Sequence, residues 1–386
     1  MKQILVIGGG FAGVRATRKL TRSKDVYVTL INDRHDFRYS PALYRAASGF
    51  KLGTARIPLE WMLLDRSNIS LVIGRAKTFE KENKIVKLED GRVYKYDYVV
   101  FALGSVTSYF NINGLEKHCL GVKSTDEILK LKSHLSDNFS KDKKVERNYV
   151  IAGAGPTGVE LAGTLGVYLK KLCKKHRTSA SNIKIYLVEA GERIAPQLEP
   201  RAGRLIANRL KKLGVKIMLN TQVKAETIGT LKTSDGEIKT HTVIWTAGTM
   251  NNPFFENNKQ YFKLDKRGRV VVDDNLRSSS SEYVCGDNCS GQYCGLAFTA
   301  VRHGNFVAQD ILARVNKTAR PKYKARRPVQ IVPIGSNWAI LQYGKLVLSG
   351  RLPGLLRRGA DFIGYSDVMG AFKALTIWTQ TEDQES

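Results

Sequence analysis

Two groups of glycines carry the clearest chemical signal in this sequence, and both groups have the same spacing. The first glycine of such a group allows a tight turn, the second lets the backbone approach a pyrophosphate, and the third lets a helix pack closely on a strand. The N–H groups at the start of that helix can then hold the phosphates. The two groups are Gly8, Gly10 and Gly13, and Gly153, Gly155 and Gly158.

A polar side chain follows each glycine group at the position where a ribose would be held. After the second group, the Glu189 carboxylate can accept hydrogen bonds from a ribose 2′-hydroxyl and would repel a 2′-phosphate, which favours NADH over NADPH. After the first group, Asn32 stands where the carboxylate is expected, and Asp33 follows it. Either of these two side chains could reach the ribose.

The elements around the glycines place them in two α/β units. Apolar strands over 4–7 and 149–152 run into the glycine turns, a helix follows each turn, and second strands over 26–31 and 183–188 end at the polar residues described above. This order is typical of a doubly wound parallel sheet. We therefore predict an α/β protein with two doubly wound Rossmann-type dinucleotide-binding domains.

Other segments complete this organisation. Residues 84–96 predict a hairpin around a turn at 89–91, and further strands are expected over 98–102 and 243–247. The polar stretch 136–147 is interpreted as a surface connection. A basic stretch over 314–327 is interpreted as a boundary before a C-terminal segment.

Length and composition exclude several classes of protein. The chain has 386 residues, of which 42% are apolar and 25% charged, which is typical of a globular protein of two or three domains and not of a disordered chain. No run approaches the roughly 18 uncharged apolar residues of a membrane-spanning helix, and the N-terminus lacks the features of a signal peptide. Five scattered cysteines argue against a disulfide framework and fit a reducing compartment. We expect a cytoplasmic protein.

With these motifs the sequence resembles the flavoprotein reductases that have two dinucleotide-binding domains, and among them the type II NADH:quinone oxidoreductases. A Gly286-Asp287 pair after a strand supports the first resemblance. The segments that resemble the type II enzymes are SPALY at 40–44, ALGS at 102–105, GPTGVELAG at 155–163, VEAG at 188–191 and WTAG at 245–248.

The resemblance implies FAD on the first domain and NADH on the second. The FAD-binding domain would comprise 1–112 and 251–326, the NAD-binding domain 113–250, and a membrane-associating region 327–386. The expected FAD site is Gly8, Gly10, Phe11, Ala12, Gly13, Asn32, Asp33, Ala102, Gly104, Gly286, Asp287, Ala297 and Phe298. The expected NADH site is Gly153, Gly155, Pro156, Thr157, Gly158, Glu189 and Gly248.

The implied activity is that of an NADH dehydrogenase that passes two electrons from NADH through FAD to a quinone without pumping protons. In the family, the glutamate at the position of Glu160 lies near the junction of nicotinamide and flavin and is associated with proton handling, so Glu160 is the catalytic candidate. The alternative is a carboxylate near a helix N-terminus that is stabilised only by the helix dipole.

One departure from the family concerns the electron acceptor. Where the family has a glutamine-containing stretch that lines the quinone site, this sequence has Phe298, Arg302 and His303. Arginine or histidine could still donate to a quinone carbonyl, and Phe298 could stack on a ring, so these three residues are the expected acceptor site. A rubredoxin-like or ferredoxin-like protein is the alternative acceptor.

The positions of the cysteines help to distinguish this sequence from other classes of enzyme in the superfamily. No cysteine lies before residue 119 and no CxxC occurs, which argues against a disulfide reductase. Cys285, Cys289 and Cys294 cluster near the expected flavin, and their spacing matches no metal-binding pattern. They are either incidental, with Cys285 buried in a strand, or carriers of sulfur as in a sulfide:quinone oxidoreductase.

The C-terminal segment predicts an amphipathic helix. Its apolar face would carry Leu355, Leu356, Gly359, Phe362 and Ile363, with Arg357, Arg358 and Asp361 off that face. Such a face can lie in a lipid interface or pack on its own domain. The resemblance and the net charge of +27 favour peripheral attachment to an anionic surface, on the cytoplasmic side of the cell membrane.

The same charge allows a different class of function, a flavoprotein that senses nucleotides or binds nucleic acid with negligible turnover. The basic residues are dispersed and are not interleaved with aromatics as a stacking platform would require, so we expect no nucleic-acid partner. A homodimer is possible.

Overall fold

The computed structural model describes residues 1–63, 65–140 and 146–381. In chain order the strands are β1 Lys2–Ile7, β2 Val26–Asn32, β3 Asp36–Arg38, β4 Arg56–Pro58, β5 Ile69–Ile73, β6 Ala76–Glu80, β7 Ile85–Leu88, β8 Val93–Lys95, β9 Tyr98–Phe101, β10 Ser105–Thr107, β11 Leu120–Gly121, β12 Asn148–Ala152, β13 Lys184–Val188, β14 Val215–Met218, β15 Val223–Thr227, β16 Thr230–Thr233, β17 Gly236–Lys239, β18 Thr242–Trp245, β19 Thr249–Asn251, β20 Glu282–Val284, β21 Gln330–Pro333, β22 Ala339–Tyr343 and β23 Leu346–Gly350. The helices are α1 Phe11–Leu20, α2 Leu43–Ala47, α3 Leu59–Leu63, α4 Leu115–His118, α5 Thr125–Ser140, α6 Pro156–Lys175, α7 Pro200–Lys212, α8 Pro253–Asn257, α9 Ala297–Val315, α10 Arg351–Met369 and α11 Ala371–Trp378.

The first unit is built on a parallel sheet with the strand order β20-β9-β1-β2-β5. Its central strands are apolar and buried, as expected where both faces of a parallel sheet are covered. Helices α1 and α9 pack closely together. Gly304 of α9 permits this, since a Cβ at that position would overlap the carbonyl of Ala12 in α1. The pairing of β20 with β9 shows that the chain returns to the first sheet after forming the second.

The second unit repeats this design with the parallel order β11-β18-β12-β13-β14. A three-stranded antiparallel sheet accompanies each unit, β6-β7-β8 in the first and β15-β16-β17 in the second. The antiparallel pair β10-β19 lies where the chain passes between the units. The predicted α/β class with two doubly wound units is therefore confirmed, and the predicted hairpin is the pair β7-β8.

The predicted surface connection over 136–147 was wrong in its first part, because α5 continues to Ser140. Leu131, Leu135 and Phe139 are buried at helical spacing on one face of α5, and the polar residues between them occupy the other face. The polar composition of the segment therefore reflects one side of a helix. Residues 141–145 lie outside the described part of the chain.

The C-terminal segment contains an antiparallel sheet that the sequence analysis did not predict, with the order β21-β22-β23. Its strands are only four or five residues long, too short for a clear alternation of apolar and polar residues. The predicted C-terminal amphipathic helices are present as α10 and α11. Among the described residues, no helix is both long and apolar enough to cross a membrane.

Helix α10 is oriented with its apolar face outward. Leu355 is 64% exposed and Ile363 is 63% exposed, whereas Asp361 is only 1% exposed. The side chain of Arg357 is also largely buried. The inward face of α10 carries Arg357 and Asp361, which make ionic contacts with the first unit, together with the buried side chains of Tyr365, Val368 and Met369. Leu355 and Ile363 lie on the opposite, exposed face.

Candidate active site

A cavity of about 1130 Å³ lies between the two units, and both units contribute to its wall. The first unit supplies the turn from Gly8 to Ala12 and the loop after β9, and the second supplies Thr157 and Glu160 from the start of α6. Ligands of doubly wound sheets bind at the carboxyl ends of the strands, which is where these segments lie. The cavity is therefore the candidate active site.

The first glycine turn has the geometry that a bound pyrophosphate requires. Gly8 has a φ of +107°, and a Cβ there would overlap the carbonyl of Ala102, so only glycine fits. A Cβ on Gly13 would overlap the carbonyl of Gly8. A Cβ on Gly10, in contrast, would meet nothing within 4 Å, so the backbone is open to a ligand at the start of α1. The second turn has the same pattern, with Gly155 open and with Gly153 and Gly158 tightly packed.

Asn32 and Glu189 occupy equivalent positions in the two units. The Gly9 N–H donates to Asn32 Oδ1 at 2.7 Å, and the Ala154 N–H donates to Glu189 Oε2 at 2.7 Å. Asn32 also donates from Nδ2 to the Arg34 carbonyl at 2.8 Å, a bond that a carboxylate could not form. Each side chain lies at the end of the second strand of its unit, and its hydrogen bond holds the glycine turn that follows the first strand.

Asp33 is placed differently from Asn32. Its carboxylate is 41% exposed and lies 3.6 Å from Arg75 and 3.9 Å from Arg34. Both Asn32 and Asp33 line the cavity, but Asn32 alone has the bond to the glycine turn that Glu189 has in the second unit.

Most residues of the expected FAD site lie together on the cavity wall, and they fit FAD. The expected residues that line the cavity are Gly8, Gly10, Phe11, Ala12, Asn32, Asp33, Ala102, Gly104, Gly286, Asp287 and Ala297. Gly13 lies beneath the turn, in the packing position expected of a third glycine.

The expected NADH site is divided between the cavity and an open turn. Thr157 and Gly248 line the cavity beside Glu160. The other five residues lie outside it: Gly153 and Gly155 in the turn after β12, Pro156 and Gly158 at the start of α6, and Glu189 directly after β13. A dinucleotide on this turn could extend its far end past Thr157 into the cavity, so the residues present fit NADH.

The expected acceptor residues do not line the cavity. Phe298 is 43% exposed, and Arg302 stacks over its ring at 5.8 Å and donates to the Lys324 carbonyl at 3.3 Å. His303 is buried, and its Nδ1 accepts a hydrogen bond from the Gly286 N–H at 3.1 Å. None of the three residues lines the cavity, so an acceptor site made of Phe298, Arg302 and His303 stays a prediction.

Glu160 lies on the cavity wall with Tyr44. One side of the glutamate faces the cavity, but protein surrounds the carboxylate elsewhere, and this burial raises the pKa of Glu160 to about 8. Arg357 opposes the effect by favouring the charged form, and Asp361 adds to it. Near neutral pH the carboxyl group therefore holds a proton that it can give up within the physiological range.

A buried ionic network lies behind this part of the wall. Asp361 of α10 contacts Arg357 at 2.5 Å and Arg45 at 3.0 Å, and the Tyr39 hydroxyl donates to it at 3.2 Å. Arg357 also donates to the Pro41 carbonyl at 3.2 Å. Two arginines share one aspartate, so the network carries one net positive charge close to Glu160.

Sequence reasoning missed Tyr44 as a wall residue, the ionic network, and Lys123. Lys123 lines the cavity and donates from Nζ to Ser105 Oγ at 3.1 Å, and Ser105 in turn donates to Asp287 at 2.9 Å. Burial lowers the pKa of Lys123 to about 8. The only sequence motif that pointed to any of them was SPALY at 40–44, which contains Tyr44.

A family model described as pyridine nucleotide-disulphide oxidoreductase matches residues 2–304, which is most of the chain. The chain belongs to this family. Among the relatives of this oxidoreductase, a type II NADH:quinone oxidoreductase of Staphylococcus aureus is 26% identical, with 93% of this chain and 94% of the relative covered. The resemblance inferred from the motifs is thereby confirmed.

Solved structures share the fold of this oxidoreductase over nearly its whole length. NDH2 from Plasmodium falciparum in complex with NADH matches with a TM-score of 0.86 at 16% identity, covering 99% of this chain and 98% of that one. The sulfide:quinone oxidoreductase of Aquifex aeolicus matches with a TM-score of 0.79 at 18% identity, covering 98% and 92%. At these identities the matches describe the fold.

Proposed function

We propose that this chain is an FAD-dependent NADH dehydrogenase that passes two electrons from NADH to a quinone without pumping protons. One observation carries the proposal: a single cavity wall joins the pyrophosphate turn of the first unit to Thr157 and Glu160 of the second. Two dinucleotides held on the two glycine turns would meet at this junction. The names of the relatives with similar sequences support the same activity.

FAD supplies the chemistry that links a hydride donor to a two-electron acceptor. The protein contributes binding, orientation and control of protons. The turns at Gly8 and Gly153 hold the two pyrophosphates, and Asn32 and Glu189 hold the riboses. Glu160 stores a proton beside the reacting groups, because its pKa of about 8 lies near neutral pH.

The acceptor site is proposed on the side of the cavity formed by Leu43, Tyr44 and Glu160. The positive charge of the network behind it stabilises negative charge that develops on a quinone oxygen, and Glu160 can supply the proton that such an oxygen takes up. The site expected at Phe298, Arg302 and His303 is the alternative, and none of these three residues lines the cavity.

The test is anaerobic. NADH is added to the purified holoenzyme, bleaching of the flavin absorbance is followed, and a short-chain quinone is then added. We expect bleaching, full recovery of colour with the quinone, and parallel double-reciprocal lines, since donor and acceptor would use the cavity in turn. Bleaching without recovery, or recovery only with a small iron–sulfur protein and with strong salt dependence, would refute the quinone assignment.

A sulfide-oxidising function is disfavoured by the thiols. Cys285 lines the cavity, but burial raises its pKa to about 12, so it is not a thiolate at neutral pH. Cys289 and Cys294 lie off the cavity wall as the described residues define it. Bleaching of the flavin by sulfide in place of NADH would revive this alternative.

We further propose the division into an FAD-binding part (1–112 and 251–326), an NAD-binding part (113–250) and a membrane-associating part (327–386). In this proposal the C-terminal helices attach to the cytoplasmic side of the cell membrane. Their exposed apolar residues are Leu352, Leu355, Leu356, Ile363, Phe372 and Leu375. Exposed Arg351 and Arg358 lie among them and would favour anionic lipid.

Flotation with lipid vesicles tests the attachment. The native protein should float with anionic vesicles, and Leu355→Ser combined with Ile363→Ser should release it. Ile228→Ser is a matched control, because Ile228 is 82% exposed but lies beside the second unit's small sheet. Equal flotation of the double variant and the control would contradict the proposal.

A further inference from the structure

Two cysteines lie in contact on the loop that follows β20. Cys289 Sγ and Cys294 Sγ are 3.8 Å apart, which is close to van der Waals contact. Cys289 is fully buried, whereas Cys294 is only partly buried. All five cysteines are free thiols: Cys119 and Cys173 lie elsewhere in the fold, and Cys285 directly follows β20.

His303 of α9 completes the cluster. Its Nδ1 lies 3.6 Å from Cys289 Sγ and accepts the Gly286 N–H at 3.1 Å. Burial lowers the pKa of His303 to about 4, so the ring is neutral and Nδ1 can act as an acceptor. Cys289 Sγ also lies 3.5 Å from the Gly286 carbonyl. The buried thiol is thus held in place from two sides.

We propose that Cys294 and Cys289 form a reactive dithiol site that reduces hydroperoxides and closes to a disulfide. Cys294 is the attacking residue because solvent reaches it, and Cys289 is the resolving residue because it is buried and in contact. The reaction uses only these two thiols and a hydroperoxide, so it does not depend on which electron acceptor the enzyme uses.

The electrostatic surroundings divide the two roles in the same way. The hydrogen bond with Cys289 lowers the pKa of Cys294; burial opposes this effect, and Arg269 adds to it. The same hydrogen bond, together with burial, raises the pKa of Cys289. A thiol with a lowered pKa, accessible to solvent and next to a resolving thiol, is the arrangement found in peroxide-sensitive cysteines.

The chemistry balances in two steps. The Cys294 thiolate attacks one oxygen of the hydroperoxide, the O–O bond breaks, and an alkoxide or hydroxide leaves while Cys294 becomes a sulfenic acid. Cys289 sulfur then attacks the Cys294 sulfur, an S–S bond forms, and the displaced hydroxide leaves as water with the Cys289 proton. The two sulfurs lose two electrons in total, and the hydroperoxide is reduced to an alcohol, or to water, plus one water.

The loop can close by movement of Cys294, which lies in a turn outside any helix or strand. Residues 290–294 lie in neither kind of element, Cys289 is held by an isolated bridge to Val270, and the residue after the loop, Gly295, has a φ of +95°. Only four residues separate the two cysteines, so closing the ring costs little entropy. The sulfurs need to approach by less than 2 Å from their separation of 3.8 Å to the usual bond length of about 2.05 Å.

The test uses the full-length holoenzyme, reduced and freed of reductant under anaerobic conditions, with hydrogen peroxide as the probe. We expect the number of free thiols to fall from five to three and mass spectrometry to show a link between Cys289 and Cys294. Dithiothreitol should restore all five. In Cys289→Ser, dimedone should trap a sulfenic acid on Cys294, whereas in Cys294→Ser the Cys289 thiol should stay reduced.

Cys119 is the matched control within the same chain. It is also partly buried, but burial raises its pKa to about 12 and no thiol touches it among the described residues. Cys294 should react at least about tenfold faster than Cys119 at neutral pH, since thiolate fraction outweighs the loss of nucleophilicity.

Three results would overturn the proposal. These are equal reactivity of Cys294 and Cys119, a disulfide joining any other pair, and a stoichiometric zinc ion in the purified protein that blocks peroxide until it is chelated. The last result would make the cluster a metal site, since its three ligand atoms lie within 4.8 Å of one another.

Discussion

The proton on Glu160 gives the sharpest test of the proposed active site. Burial raises the pKa of this carboxyl group from 4.5 to about 8, so the group is mostly protonated at pH 7 and mostly ionised at pH 9. If Glu160 supplies a proton during reoxidation by quinone, the rate of that step must fall as pH rises through the pKa. Glu160→Gln removes the ionisation and keeps the size of the side chain.

The size of the effect follows from the titration. With a pKa of about 8, the protonated fraction is about 90% at pH 7 and about 10% at pH 9, so the wild-type rate should fall about tenfold between them. The Glu160→Gln variant should show no such fall. It should also be slower at pH 7 by about a hundredfold, a typical loss for one proton-transfer group.

Anaerobic stopped-flow mixing of NADH-reduced enzyme with a soluble quinone measures this step directly. Glu226→Gln is the control, because burial also raises the pKa of Glu226 to about 8 but that residue does not line the cavity. The control should keep the wild-type pH profile. Two results would refute the proton-donor role. One is a wild-type reoxidation rate that, like that of Glu160→Gln, does not change with pH, and the other is an equal loss of pH dependence in Glu226→Gln.

Three other predictions follow from the site. Asp361→Asn leaves Arg45 and Arg357 buried without their counter-charge, so chemical denaturation should show a loss of about 3–5 kcal/mol in the free energy of unfolding, against less than about 1 kcal/mol for an exposed pair. Glu189→Gln removes the charge that repels a 2′-phosphate, so the ratio of kcat/KM for NADH over NADPH should fall about tenfold, and an unchanged ratio would remove Glu189 from nucleotide selection. Gly13→Ala forces a Cβ against the Gly8 carbonyl, so the purified protein should lack bound flavin and its visible absorbance; a yellow variant would contradict the packing argument.

Local patterns were enough to predict the nucleotide-binding parts of this fold. Each glycine group lies within one strand, turn and helix, and the residue that braces it, Asn32 or Glu189, comes at the end of the next strand. Spacing along the chain therefore translates directly into contacts. The same is true of Glu160, which follows the second group on the same helix.

Contacts between distant segments could not be predicted in this way. The acceptor residues were assigned by position on α9, but the side to which each side chain turns is set by its neighbours: Lys324 for Arg302, and Gly286 for His303. The outward apolar face of α10 depends on Arg45, which lies more than 300 residues earlier in the chain. The spacing of Tyr365, Val368 and Met369 marks the buried face of α10, but nothing within the helix indicates that Arg45 lies opposite Asp361.

The orientation of α10 limits how the enzyme can sit on any surface. Leu356 and Arg357 are adjacent, so a rotation of the helix by about 100° would expose the buried charges and bury the leucine. The ionic network with Arg45 opposes that rotation. The exposed apolar face therefore keeps a fixed direction relative to the cavity. Truncation at residue 350 would remove this face together with Arg357 and Asp361, and would leave Arg45 buried without its counter-charge.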